Sequence, residues 1–232
     1  MRSTNLTIAE RYRSPASLPQ LLPVFPLRGV LLLPGTTMPL HVFEPRYLEL
    51  LNDVISGERV IGIIQPERSE EAVESPAGRD VKLRKVGCVG RVTAFQELDD
   101  GRLYITISGI ARFTVEGEVD NGKAYRTCRV RYTDFPMDFG TDTTAEQIER
   151  DSLFRVLKSF FDFHHMSVDW NSIGNAQSEQ VVNVLAVVAP FGPEEKQALL
   201  EAASLKARAD VLEALAEMAV ASGSGSDGST LQ

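Results

Sequence analysis

Apolar residues alternate with polar ones in the stretches before Pro136 and recur at helical spacing after it, so the chain is constrained to strands first and a run of helices second. That order belongs to the α+β class, built in two parts. The clearest alternation is RLYITISGI, with Leu103, Ile105 and Ile107 on one face and Tyr104, Thr106 and Ser108 on the other. VGCVGRVTAFQEL precedes it and ends at Asp99-Asp100-Gly101, a hairpin signal. RFTVEGEV follows it and ends at Asn121-Gly122, a second hairpin signal, before YRTCRVRYTDF. Upstream, PVFPL, VLLLPG and VIGIIQP read as short strands, with Pro23, Pro26 and Pro34 confined to strand ends or edges. Pro45 to Ser56 reads as a helix: Pro45 suits the first helical position, Leu48, Leu51 and Ile55 share a face, and Gly57 supplies a left-handed stop. Strands at this spacing, closed by tight turns, predict a small antiparallel barrel with one inserted helix.

Beyond Pro136, Thr144 to Gln147 reads as a capping box, followed by a helix with Leu153, Val156, Leu157, Phe160 and Phe161 on one side. A second helix spans Ser178 to Val188 and ends before Pro190. A third begins at Pro193, with Glu194 and Glu195 at its positive start. A fourth opens with Ser204 as cap and points Leu212, Leu215 and Met218 inward. The expected organisation is a flexible arm over 1–17, a β-barrel over 18–135, a bundle of about four helices over 136–221 and a disordered Gly/Ser tail over 222–232. Glu67 to Arg79, acidic and carrying Pro76 and Gly78, reads as a surface loop.

With 232 residues, 43% of them hydrophobic, the chain can bury a sizeable core. Its charge divides where its periodicity does. Residues 1–135 carry 18 Lys/Arg against 17 Asp/Glu, whereas residues 136–232 carry 6 against 15. The overall formal charge of -8 argues against a general nucleic-acid binder, which needs a basic surface to displace counterions from phosphates. Met1 to Pro19 has no continuous apolar core, and Leu21 to Leu33 is too short and interrupted to span a bilayer. Cys88 and Cys128 fall in expected strands without metal-type spacing and read as buried thiols of a reducing compartment. A cytoplasmic protein without membrane contact is the expectation.

The motifs of several chemistries are missing. No G-x-x-x-x-G-K-[ST] phosphate loop and no G-x-S-x-G elbow occurs in the 232 residues. His164 and His165 are adjacent and point to different helix faces, and His41 stands apart, so no metal site is expected. No pair of carboxylates suggests general acid–base work, and no cofactor is implied.

Four stretches carry a family resemblance. LPVFPLRGVLLLPG opens it, and PLHVFEPRY (Pro39 to Tyr47) is its strongest part. VGCVGRVTAF with SGIARFTV follows, and PEEKQALLEAASLKARADVL closes it. In this order they resemble the amino-terminal domain of the Lon protease family, including its stand-alone copies, over nearly all of Leu18 to Ala219. The resemblance implies a PUA-like β-barrel followed by a helical bundle, and a non-catalytic module for substrate recognition or adaptor work. Its implied partners are unfolded or degron-bearing polypeptides and a Lon-like protease, with oligomer contacts in some relatives. Lon-type proteolysis uses a serine with a lysine in a separate carboxy-terminal domain. Ser204 and Lys206 are near in sequence, but Ser204 reads as a helix cap.

The box supplies the candidate site residues. Phe43 can pack back on the helix as a staple, Glu44 can pair with Arg46 or Arg28, and Tyr47 offers a ring with a polar tip. These residues either hold barrel and helix together or line a binding groove. Arg112, after Gly109, is either a barrel-rim anchor or a contact. The alternative function is RNA binding, since PUA-like barrels elsewhere hold RNA. Its candidate basic face is Lys82, Arg84 and Lys85 with Arg126, Arg129 and Arg131.

Overall fold

The computed structural model describes residues 7–67, 81–140 and 143–226. The loop expected beyond Glu67, the outermost part of the expected arm and the last residues of the expected tail lie outside them. The described chain falls into two units that divide after Thr141, so the turn at Pro136–Phe139 belongs to the first unit and not to the second.

The first unit is one mixed sheet of six strands: β1 (Leu21–Pro26), β2 (Thr37–Val42), β3 (Val60–Pro66), β4 (Leu83–Glu97), β5 (Leu103–Val119) and β6 (Arg126–Arg131). The strand order is β2-β5-β4-β3-β1-β6, and β6 pairs again with β5, which closes a ring of five strands and leaves β2 beside the first half of β5. All pairings are antiparallel except β1 with β3. That parallel pair corrects the all-antiparallel expectation. It arises because the connection between β1 and β3 contains the helix α2 (Pro45–Ser56), and a parallel pair needs such a crossover.

Both faces of β3 are buried. Val60 and Ile64 join Leu22, Val24, Val89, Phe113 and Val130 inside the ring, while Ile61 meets Tyr47, Leu50 and Leu51 of α2. This explains the uninterrupted apolar run VIGII. The buried face of α2 is Tyr47, Leu50, Leu51 and Val54, one step round from the face expected. Gly57 is not its left-handed stop; Arg59 takes the positive φ of 63° two residues later.

RLYITISGI and RFTVEGEV form one continuous strand. Between Ala111 opposite Val89 and Gly109 opposite Gly90, the residue Ile110 is inserted as a bulge. Before it, Leu103, Ile105 and Ile107 are buried on the side facing α2 and the Leu31–Leu33 segment. After it, Ala111 and Phe113 are buried inside the ring. VLLLPG is not a strand. It is a buried loop closed by Thr36, whose hydroxyl donates to the Leu33 carbonyl at 2.8 Å and accepts from the Leu33 N–H at 3.1 Å. TMPLHV, by contrast, is the strand β2 despite Pro39.

The first described residues are not a loose arm. The short helix α1 (Ile8–Arg11) is capped reciprocally by Thr7 and Glu10, and Tyr12 and Leu18 sit in the ring's core cluster. The Tyr132 hydroxyl donates to the Pro19 carbonyl at 2.7 Å.

The second unit contains α3 (Arg150–Phe163), α4 (Trp170–Gly174), α5 (Ser178–Val188), α6 (Pro193–Glu201) and α7 (Leu205–Ser226). The helix α4, not foreseen, is capped by Asp169, which accepts from the N–H groups of Asn171 and Ser172. Thr144 does not build a capping box: it lies in a 3-10 turn over Thr143–Gln147, and its hydroxyl accepts from the Lys206 N–H at 3.1 Å. Leu153, Leu157, Phe160 and Phe161 of α3 are buried, as are Leu212 and Ala216 of α7. Met218 is 56% exposed and does not join them. The helix α7 runs on to Ser226, past the start of the expected tail. No helix of the described residues is long and apolar enough to cross a membrane.

The close approach of the Leu31–Leu33 loop rests on Gly109, where an added Cβ would lie 2.8 Å from the Leu33 carbonyl carbon. Gly109→Ala is expected to cost about 1–3 kcal/mol or more, because backbone and not a side-chain tip must move. Gly117→Ala, with nothing within 4 Å of its Cβ, serves as the control. Urea denaturation of both variants checks the difference.

Candidate functional site

Pro39 to Tyr47 runs from the middle of β2 into the first turn of α2, and the structure splits this box into parts with different roles. Tyr47 is buried, with its ring edge-on to Phe25 at 3.9 Å between centroids. Together with Val42, Leu50, Leu51, Ile61 and Ile105 it forms the seam between helix and sheet. Burial raises its phenol pKa above the usual value. Arg46 lies over the Tyr47 ring at 4.7 Å and forms an ion pair with Glu44 at 2.7 Å. Arg28 takes no part in that pair and is exposed in the turn after β1. Phe43 is 63% exposed, so it does not staple the helix; Val42 and Tyr47 fill the seam on either side of it.

A polar clamp holds the middle of α2 to the β5–β6 hairpin. The Tyr125 hydroxyl donates to Asp53 at 2.8 Å, Lys123 pairs with Asp53 at 3.0 Å and Glu49 at 3.5 Å, and the Ala124 N–H donates to Glu49 at 3.2 Å. Burial and the Asp53 carboxylate push the Tyr125 pKa up to about 12. None of this clamp was foreseen, because its members lie in separate elements and only Lys123-Ala124-Tyr125 are adjacent.

Arg112 is buried against the turn that follows β6. It is 2% exposed and grips Asp138 through Nε at 3.0 Å and Nη2 at 2.8 Å, while its backbone N–H donates to the same carboxylate at 2.7 Å. Its guanidinium also lies 4.2 Å from the Phe135 ring centre. This pair is what draws Pro136–Phe139 into the first unit.

The candidate basic residues do not make a concentrated positive face. Arg126 is buried and paired with Glu118, and it also donates to the Val81 carbonyl at 2.7 Å. Arg131 pairs with Asp134 at 2.9 Å and Glu116 at 3.7 Å, and its hydrogen bonds hold the Asp134 carboxyl below its ordinary range. Lys82, Lys85 and Arg129 are exposed and Arg84 is half-buried. Carboxylates are thus interleaved with the basic residues on β5 and β6.

The most distinctive open surface is the outward face of β2, β5 and β4. Thr37, Pro39 and His41 lie opposite Ser108, Thr106 and Tyr104, and Gln96 and Ala94 continue the rows on β4. The His41 and Tyr104 rings are 4.7 Å apart and tilted by 58°. Thr93 bonds the Ser108 hydroxyl at 3.2 Å.

The family model for the ATP-dependent protease La (Lon) substrate-binding domain matches residues 21–217. Lon protease 2 of Myxococcus xanthus is 29% identical over 82% of this chain, and Lon protease of Escherichia coli K12 is 23% identical over 84%. The chain spans only 23% and 24% of the length of these relatives. Among solved structures, a Lon N-terminal domain protein from Xanthomonas campestris is 26% identical, with a TM-score of 0.60 over 84% of this chain and 97% of its own. The N-terminal domain of Mycobacterium avium complex Lon protease has the same TM-score over 85% of this chain and 98% of its own; at 13% identity it attests the fold alone.

Two outcomes follow for stability. Asp138→Ala, which removes the carboxylate beside a buried guanidinium, is expected to cost about 3–5 kcal/mol, whereas Glu44→Ala, which breaks a half-exposed pair, costs less than about 1 kcal/mol; equilibrium denaturation reads both. The Tyr125 phenol keeps its proton in the folded state above the pH at which the unfolded phenol loses it. Its stabilising contribution is therefore complete below about pH 10 and lost as pH rises towards 12. Thermal midpoints measured across that window should fall, and Tyr125→Phe should flatten the fall.

Proposed function

The chain belongs to the Lon substrate-binding domain family, and from that premise we propose that it binds polypeptide segments, unfolded or carrying a degradation signal. In this reading it presents them to a partner, a Lon-like protease among the candidates, and does not cut them itself. The observation that carries the reading is the extent of the family match, residues 21–217, which takes in every strand and runs well into α7. Ser204, two residues before Lys206, is engaged as a helix cap: its hydroxyl accepts from the Ala207 N–H at 3.1 Å. RNA binding has less support, since Arg126 and Arg131 are occupied by carboxylates and the whole chain carries a formal charge of -8.

Polypeptide recognition calls for an open apolar groove or an unpaired strand edge. The test is fluorescence anisotropy of a labelled unfolded chain, reduced and carboxyamidomethylated α-lactalbumin, titrated with this protein. Saturable binding is expected, with the probe intact by mass spectrometry afterwards. No change in anisotropy up to about 100 μM, weaker than a useful recognition module, would overturn the binding role. Cleavage of the probe by protein of verified purity would overturn the non-catalytic one.

A further inference from the structure

The outward face of β2, β5 and β4 carries an unusual combination in a chain whose charged residues make up 24% of its length. Across Thr37, Pro39, His41, Tyr104, Thr106, Ser108, Ala94 and Gln96 there is no lysine, arginine, aspartate or glutamate. Arg91, opposite Ser108, closes one end, where it is bonded to the Tyr12 hydroxyl at 3.0 Å and the Glu58 carbonyl at 2.8 Å. At the other end Phe43 follows directly on β2 and exposes 63% of its surface. Phe43, like Pro39 and His41 of the same box, has an exposed side chain that does not line the seam with α2.

The edge of β2 narrows how a partner can engage. The strand ends the sheet order, and among the described residues no strand lies along its far side. The Gly109 N–H donates to the Thr36 carbonyl at 2.8 Å, which sets the phase of the antiparallel ladder. Met38, Leu40 and Val42 then exchange bonds with Ile107, Ile105 and Leu103, and Thr37, Pro39 and His41 direct their backbone groups away from the sheet. The middle one of these three is a proline, which has no N–H to offer. An added strand would lose its central hydrogen bond, the same device that keeps edges from pairing indiscriminately.

We infer that this face docks an extended, uncharged segment of another polypeptide through side chains, with the Phe43, His41 and Tyr104 rings as its contact surface, and not by adding a strand to β2. The inference rests on the polypeptide-binding reading above and assigns it a place and a mode. The occupant is uncharged because the middle of the face, between Arg91 at one end and the Arg102–Asp100 pair at the other, has no formal charge to offset the desolvation of a buried ion. It is extended because the tyrosine, histidine, threonine and glutamine side chains offer donors to main-chain carbonyls, which an extended chain leaves open.

The experiment uses the whole chain and the same unfolded lactalbumin probe. Phe43→Ser and Tyr104→Ser are each expected to weaken binding at least about fivefold, the threshold of a contact that matters. Phe163→Ser, which removes a 43% exposed ring from the helical unit, should leave the affinity unchanged. Thermal midpoints confirm that each variant folds, and Tyr104→Phe, which keeps the ring, should retain most of the binding. Raising sodium chloride from about 0.05 to 0.5 M should change the affinity less than about twofold, since no ion pair is made. If the unaltered protein binds the probe but Phe43→Ser and Tyr104→Ser bind equally well, the site is wrong while the binding role survives. A steep loss of affinity with salt would overturn the uncharged mode. Failure of the unaltered protein to bind removes the binding role itself.

Discussion

The sheet of the first unit turns on a single inserted residue. Ile110 has no partner of its own opposite Val89 and Gly90, so the two-residue alternation of β5 changes phase there. Ile105 and Ile107 thereby face the helix side, and Ala111 and Phe113 face the ring interior, although all four lie at odd-numbered positions of one strand. Without that change of phase, β5 could not serve both a core outside the ring and a core within it. The same shift frees the other face of its first half, Tyr104, Thr106 and Ser108, to stand open beside β2. Glycines flank the bulge at Gly90 and Gly109, where the Leu31–Leu33 loop comes too close to admit a Cβ.

Once the sheet is set, polar contacts decide what is attached to it. Three charged clusters act at different depths, and their depth separates their consequences. Arg112 with Asp138 is almost wholly withdrawn from water, so each group depends on the other. The Tyr125, Asp53 and Lys123 clamp is partly exposed and fixes where the middle of α2 lies against the hairpin. Glu44 with Arg46 is half-exposed and contributes little beyond local order at the helix start. Phe43 and its neighbours on the outward face of β2 and β5 take no part in these three clusters.

Much of the fold was legible where local chemistry dictates the outcome. The helices at Pro45–Ser56, Ser178–Val188 and Pro193–Glu201 have their starts written in proline or in acidic first turns, and Pro190 marks the end of the second. Gly101 and Gly122, at φ 80° and 67°, turn the two hairpins as Asp-Gly and Asn-Gly dipeptides do. What could not be read depended on partners distant in the chain. Three leucines in VLLLPG have the composition of a strand, but Thr36 and Gly109 supply the hydrogen bonds that make it a loop. TMPLHV is not among the expected strands, and the edge position of β2 is what makes Pro39 harmless there. Arg112 reads as a rim anchor or a contact, and no spacing in the sequence announces that Asp138 is its partner. The exposure of Phe43 likewise follows from Tyr47 occupying the seam, which no periodicity announces.

The ring closes by joining its first strand to its last: Leu21 to Val24 of β1 lie against Arg126 to Arg129 of β6. A chain emerging from a ribosome, amino terminus first, therefore cannot complete this unit until residues beyond Arg131 have cleared the exit tunnel. Until then β1 and the second half of β5 hold exposed strand edges of the kind that draw chaperones or mispair with neighbours. The turn that follows, with Asp138 waiting to meet Arg112, is made immediately after β6. Synthesis thus delivers the closing strand and the charge that locks it in direct succession, so the interval of vulnerability ends with the arrival of one short segment.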